Sequence, residues 1–278
     1  MKRWEKMGDI NNQHPADSSV YNKEYFLSEC DGYEEFIAHK GKVLPKRLAL
    51  SLERARVKPG MRVLDVGCGR GETLIWLAHQ GVKAWGIDFS KDALLLAVDA
   101  LQSSDLKSKC CCAFIAANAC YLPLPDESFD LVLFLDVAEH LYPWELDQAL
   151  SDIWRVLTPN GRLIIHTAPN LWYYKLGYPI YRFFERLRGV YLPKDPRDRF
   201  RYHRQVHVNE QSPASLARVL RNAGFQPRVW VADVQQRWKH RGFLTSIIGW
   251  IVTHIYPIKW IFCGDIFGEA KKVNRCEP

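Results

Sequence analysis

The chain has no internal repeat, no low-complexity tract and no apolar run that goes uninterrupted for the length of a bilayer. These absences exclude a solenoid and a disordered or fibrous chain. Residues 1–17 are polar and have no apolar core, so no secretory signal is expected there. The eight cysteines show no convincing metal spacing. Cys110, Cys111 and Cys112 are adjacent and alternate in direction on a strand. We expect reduced thiols in a cytoplasmic setting, no disulfide framework and no metal.

What is present fits a globular chain. The length of 278 residues suits one enlarged domain, or one domain with a cap, and is enough for a sizeable core. The apolar fraction of 47% is ordinary. The net charge of +7 is a mild excess, concentrated between Arg182 and Arg204. An acidic partner, an anionic membrane face or nothing specific would each account for it.

The most informative stretch is Val63-Leu64-Asp65-Val66-Gly67-Cys68-Gly69-Arg70-Gly71-Glu72. It reads as a short buried strand, a tight glycine turn and a helix start. Gly67, Gly69 and Gly71 let the backbone lie close against a ligand. The helix then points free N–H groups toward it. The dinucleotide-binding fingerprint asks for glycine at position 72, where this chain has Glu72. Asp65, at the loop entrance, suits an ammonium and a sulfonium charge and suits a pyrophosphate badly. Asp88 ends a second apolar strand, where an acid accepts from both ribose hydroxyls.

This pattern resembles the class I S-adenosylmethionine-dependent methyltransferases, type 11-like, in the group acting on small molecules and envelope sugars. The resemblance covers residues 57–170 well and the rest more loosely. It implies S-adenosyl-L-methionine as cofactor. It also implies a Rossmann-like, doubly wound α/β sheet of seven strands in the order 3-2-1-4-5-7-6, the last antiparallel. The cofactor residues it implies are Asp65, Gly67, Cys68, Gly69, Gly71, Asp88, Phe89 beside the adenine, Asn118, Ala119 and Asp136. The family has an aspartate where this chain has Asn118. An amide oxygen still accepts from the adenine amino group, and its nitrogen donates to a ring nitrogen.

In chain order, residues 1–43 read as an N-terminal arm and lid, and 44–278 as the methyltransferase domain. Tyr21, Tyr25 and Phe26 either shield the methyl donor, as the resemblance implies, or simply pack on the core. Residues 44–56 read as an amphipathic helix. Ser90 reads as the cap of a helix over 91–101, and Ser212 as the cap of one beginning at Pro213. Strands are expected at 111–116, 128–136, 162–167, 225–232 and 262–271, with a helix at 143–156. Residues 157–161 are read as a turn.

Two insertions interrupt the core, at 171–208 and 235–260. Each follows a strand expected to run parallel to the first, so each leaves the sheet at the ligand edge and builds an acceptor pocket. Aromatics in the first suit sugar rings or planar phenols, and its arginines suit phosphate or carboxylate. The stretch 243–262 is about as long as a membrane span. Gly249, His254, Pro257 and Lys259 interrupt it. A pair of short cap helices is the preferred reading, and a surface reaching lipid the next. A true span would pull the last strand out of the sheet.

The expected activity is methyl transfer to an O or N atom of a small molecule, sugar or lipid-linked intermediate, in the cytoplasm or at the inner face of a membrane. His140 is the first candidate base, with His166 and His207 behind it. The alternative for His140 is a turn cap bonded to backbone. An NAD(P)-binding oxidoreductase and a non-catalytic, membrane-docked methyltransferase-like partner are the rival readings. Nucleic acid is a weaker one, because no Asn-Pro-Pro-Tyr follows the fourth strand.

Overall fold

The computed structural model describes residues 18–104, 112–199, 201–235 and 243–273. Residues 1–17 of the expected arm, and Cys110 and Cys111 of the cysteine triplet, lie outside them. At the centre is a seven-stranded sheet in the order β3-β2-β1-β4-β5-β7-β6. The strands are β1 (Arg62–Val66), β2 (Lys83–Asp88), β3 (Cys112–Ala116), β4 (Phe129–Leu135), β5 (Leu157–Thr167), β6 (Phe225–Ala232) and β7 (Asp265–Lys272). β7 runs antiparallel to both of its neighbours, so β6 and β5 run the same way.

The central strands are apolar on both faces because helices cover both. Val63, Leu64 and Val66 of β1 are fully buried, as are Leu131 to Phe134 of β4. The flanking helices are α1 (Tyr33–His39), α2 (Lys46–Ala55), α3 (Glu72–His79), α4 (Lys91–Gln102), α5 (Pro143–Val156), α6 (Tyr178–Leu187), α7 (His203–Val206) and α8 (Pro213–Asn222). α2 buries Leu48, Leu52 and Ala55 along one face. Ser90 caps α4 by accepting from the Ala93 N–H, and Ser212 caps α8 by accepting from Ser215.

Two expected boundaries move. β5 begins at Leu157 instead of Arg162, because Leu157 pairs with Phe129 before a register shift in β4. Leu157 thus joins the ladder, and residues 158–161 bulge between the two pairings where a turn was expected. The closing strand begins at Asp265 instead of Phe262. Residues Lys259–Phe262 form a helical turn, α10, and sheet pairing starts only beyond it.

The segment after β6 contains α9 (Phe243–His254) and α10. Among the described residues, no helix is long and apolar enough to cross a membrane. The two insertions pack on each other. A Cβ at Gly177 would lie 2.4 Å from the Ile261 carbonyl oxygen, so this approach requires glycine. Asn170 donates to the carbonyls of Trp260 and Cys263 at 2.8 and 2.9 Å, and the Trp172 and Trp260 rings meet 6.1 Å apart. Both insertions leave the carboxyl edge of the parallel strands; the first lines the crevice there with residues from Tyr173 to His207, and the second contributes Gln235.

Candidate active site

The glycine turn is held open by the second strand. The N–H groups of Gly67 and Cys68 both donate to the Ile87 carbonyl, at 2.7 and 2.9 Å. Gly67 has φ 80°, and a Cβ there would lie 2.3 Å from Val137 Cγ2. Only glycine fits, since the turn passes directly under the residues that follow β4. Gly71 stands apart from the crevice. Its α-carbon packs toward Ala97 and Phe114, which seats α3 against α4 and β3.

A cavity of about 740 Å³ opens above this turn. Asp65, Gly67, Cys68, Gly69 and Asp88 line it, with Phe89, Asn118 and Ala119. Asp136 and His140 line it as well. Asp88 accepts the Gly69 N–H through one carboxylate oxygen and the Ser90 N–H through the other, both at 2.9 Å. Each oxygen keeps a lone pair for a ligand. Burial pushes the Asp88 carboxyl up, against those N–H groups. Asn118 turns its oxygen to the Cys120 N–H at 2.8 Å, which leaves its amide nitrogen for a ligand. Phe89 is half exposed and meets the Tyr21 ring edge-on at 5.2 Å.

Asp65 is buried and accepts from the Thr73 hydroxyl. Burial raises its carboxyl to about 7, with the Thr73 bond pulling the other way. Asp136 has φ 59°, uncommon for a non-glycine residue. Three contacts hold it there: Arg47 Nε at 2.5 Å, the His166 ring, and its own N–H to the His166 carbonyl at 3.1 Å. Burial opposes its charge, but Arg47 and His166 outweigh it and keep the carboxyl well below the usual range. His166 also lies 3.4 Å from Asp265. It belongs to this buried charge network and is fully buried.

Tyr21 of the N-terminal segment packs at the same place. The Tyr21 hydroxyl lies 3.0 Å from His140 Nδ1, and the Val206 carbonyl lies 3.1 Å from that nitrogen. A carbonyl only accepts, so Nδ1 carries the proton and Nε2 keeps its lone pair. Burial lowers His140 to about 4, against the pull of Val206 and Asp136, so the ring is neutral. His140 is thus bonded to distant backbone and also lines the cavity. His203 and His207 stack 4.3 Å apart, and His207 meets His140 at 4.9 Å.

Residues 64–165 match the model of a methyltransferase domain. Over that stretch the chain is similar to S-adenosylmethionine-dependent methyltransferases. The methyltransferase GfsG of Streptomyces halstedii is 38% identical over 114 residues, 41% of this chain and 40% of that protein. The chain thus spans about two fifths of that relative's length. A demethylmenaquinone methyltransferase of Listeria monocytogenes is 29% identical over 63% of this chain and 74% of its own length. The solved structure of Haemonchus contortus phosphoethanolamine N-methyltransferase 2 with S-adenosyl-L-methionine superposes with a TM-score of 0.59, at 17% identity. That superposition covers 91% of this chain and 60% of that one, and it shows the shared fold.

The methyltransferase cofactor suits the residues of this crevice. Asp88 faces the cavity with free lone pairs, Asp65 lines it, and glycine backbone leaves room beside them. Two features were not anticipated. Arg47 and Arg70 are buried and grip residues 26–31. A charged residue on an amphipathic helix or in a loop reads as solvent-facing, so no local signal marks either. The second is the grouping of Glu139, His140 and His207, which lie far apart along the chain.

Proposed function

We propose that the protein transfers a methyl group from S-adenosylmethionine to a hydroxyl or amine of a small molecule, sugar or lipid-linked acceptor. The observation that carries this reading is the contact between the Tyr21 hydroxyl and His140 Nδ1 at 3.0 Å. It joins the lid to the residues after β4 and leaves a neutral imidazole facing the cavity.

When bound, the cofactor supplies a methyl on a sulfonium: an acceptor–carbon bond forms as the sulfur–carbon bond breaks, and the electron pair stays on sulfur. The chain's residues align and enclose the pair. Asp88 holds the ribose hydroxyls, Asp65 and the glycine turn hold the amino-acid part, and Asn118, Ala119 and Phe89 border the purine. Asp136 fixes the wall between cofactor and acceptor. His140 Nε2 takes the acceptor's proton.

Tyr174, Tyr178 and Arg199 also line the cavity, and we assign them to the acceptor. Aromatic faces and a guanidinium suit a ring that carries an anionic group. The relatives' names give a quinone precursor and phosphoethanolamine as their own acceptors. Phe183, Phe184 and Leu187 of α6 are 59%, 52% and 69% exposed, and Trp250 of α9 is 58% exposed. That apolar surface on the cap supports a lipid-linked acceptor, reached at a membrane face.

Incubation with methyl-labelled S-adenosylmethionine and a lysate fraction tests the reading. Label should pass to an acceptor with the native protein and not with His140→Ala. A thermal shift with a nicotinamide dinucleotide, and none with S-adenosylhomocysteine, would contradict it.

A further inference from the structure

Glu139 and His140 sit on one helical turn after β4, Ala138–His140. His207 directly follows α7, its N–H donating to the His203 carbonyl at 2.9 Å. The main chain brings these segments together. The N–H groups of Val208 and Asn209 both donate to the Glu139 carbonyl, at 2.9 and 3.1 Å. One ligand-capable atom from each of Glu139, His140 and His207 lies within 4.8 Å of the other two.

Three features of this group point to a ligand. His207 Nδ1 is buried and has no hydrogen-bond partner among the described residues. A native fold seldom leaves such an atom unpaired unless something else pairs with it. Glu139 is 3% exposed, and among the described residues it makes no ion pair. The nearby cationic groups, Arg47 and His166, are committed to Asp136. A buried carboxylate without a counter-charge is costly, and a cation would supply one. Lastly, the ligands are oriented from behind. Glu139 accepts from the Thr167 hydroxyl at 2.7 Å and from the Ala168 N–H at 3.4 Å. His140 gives its Nδ1 proton to the Val206 carbonyl, and His203 stacks on the His207 ring. Such outer bonds fix the tautomer and aim of metal-binding side chains.

We propose that Glu139, His140 and His207 form a binding site for one divalent transition-metal ion, of the zinc or manganese type, at the acceptor end of the cavity. Two imidazoles and a carboxylate suit such an ion, and three protein ligands leave positions open. This inference rests on the reading of the cavity as a methyl-acceptor site. An acceptor hydroxyl at an open position loses its proton more readily, because the ion stabilises the alkoxide. In that state His140 Nε2 holds the ion, and the proton leaves to solvent or buffer.

The test uses the full chain, stripped with chelator and titrated with ZnCl2 and with MnCl2 by calorimetry. One ion per chain should bind. His207→Ala and Glu139→Gln should each weaken it by about tenfold or more, while both variants keep the native affinity for S-adenosylhomocysteine. If a variant fails to fold, Co2+ loaded into the native chain serves instead, and a visible absorption band with nitrogen and oxygen ligands is expected. No stoichiometric binding, a native Co2+ spectrum identical to the aqua ion, or binding untouched by both substitutions overturns the site. Loss of cofactor binding with ion binding intact would sink the methyl-transfer reading and leave the ion site standing.

Discussion

Arg47 Nε lies 2.5 Å from Asp136 Oδ2, so the helix before the sheet is tied to the end of its central strand. The same guanidinium holds Asp31, by its carboxylate at 2.9 Å and its carbonyl at 3.0 Å. Arg70, inside the glycine turn, donates to the carbonyls of Phe26 at 2.6 Å and Asp31 at 3.0 Å. Two buried arginines therefore hold residues 26–31, one through the acid after β4 and one from the glycine turn.

Arg47→Met should cost about 3 kcal/mol of stability, because it leaves Asp136 buried with one cationic partner fewer. Urea unfolding measures this. S-adenosylhomocysteine affinity should fall as well, since the lid loses its tie to Asp136. An unchanged unfolding midpoint would show that the pair is idle.

The His166–Asp136 contact makes stability depend on alkaline pH. Burial disfavours the charged ring, but the Asp136 carboxylate outweighs it and raises His166 to about 10. A histidine raised on folding adds stability that is complete below about pH 6.5 and is lost as pH climbs toward 10. The thermal midpoint should therefore decline between pH 7 and 10. In His166→Gln that decline should be much shallower, and an equal decline would rule this pair out as its source.

Asp65 gives a second pH effect, on binding. It is held near 7 in the free protein, so a cofactor ammonium beside it should lower it and expel a proton. Calorimetry near pH 6, in two buffers of different ionisation enthalpy, should show net proton release. Asp65→Asn should show none. Equal proton release in both proteins would remove Asp65 from contact with the cofactor.

Tyr21→Phe deletes one hydroxyl and keeps the ring contacts with Tyr25 and Phe89. Stability should change by about 1 kcal/mol or less, the range for one hydrogen bond. Turnover should fall by roughly tenfold or more, since the lid no longer orients His140. A variant with native kcat would leave Tyr21 a packing residue only.

Much of this architecture was legible because it is periodic or capped. The helix expected at 143–156 and the strand at 225–232 appear with those bounds, as Pro143–Val156 and Phe225–Ala232. Each carries an amphipathic or β-rich pattern bounded by proline or glycine. The glycine turn was legible because close packing against Val137 leaves no alternative to Gly67. What escaped reading depends on distant pairing. β5 extends back to Leu157 because β4 offers it a partner, although Thr158-Pro159-Asn160-Gly161 has the composition of a turn. His207 joins Glu139 only through main-chain bonds at Val208 and Asn209, which no local spacing announces. Arg47 lies beside Leu48 on a helix whose pattern would send it outward. It is buried because Asp31 and Asp136 both come to meet it.

Asp88 is proposed to hold the cofactor's ribose, and calorimetry with S-adenosylmethionine measures this directly. Two charge-assisted hydrogen bonds are worth about 3 kcal/mol together, so Asp88→Ala should weaken binding roughly a hundredfold. Native affinity in Asp88→Ala, with the fold intact, would contradict the assignment of the crevice.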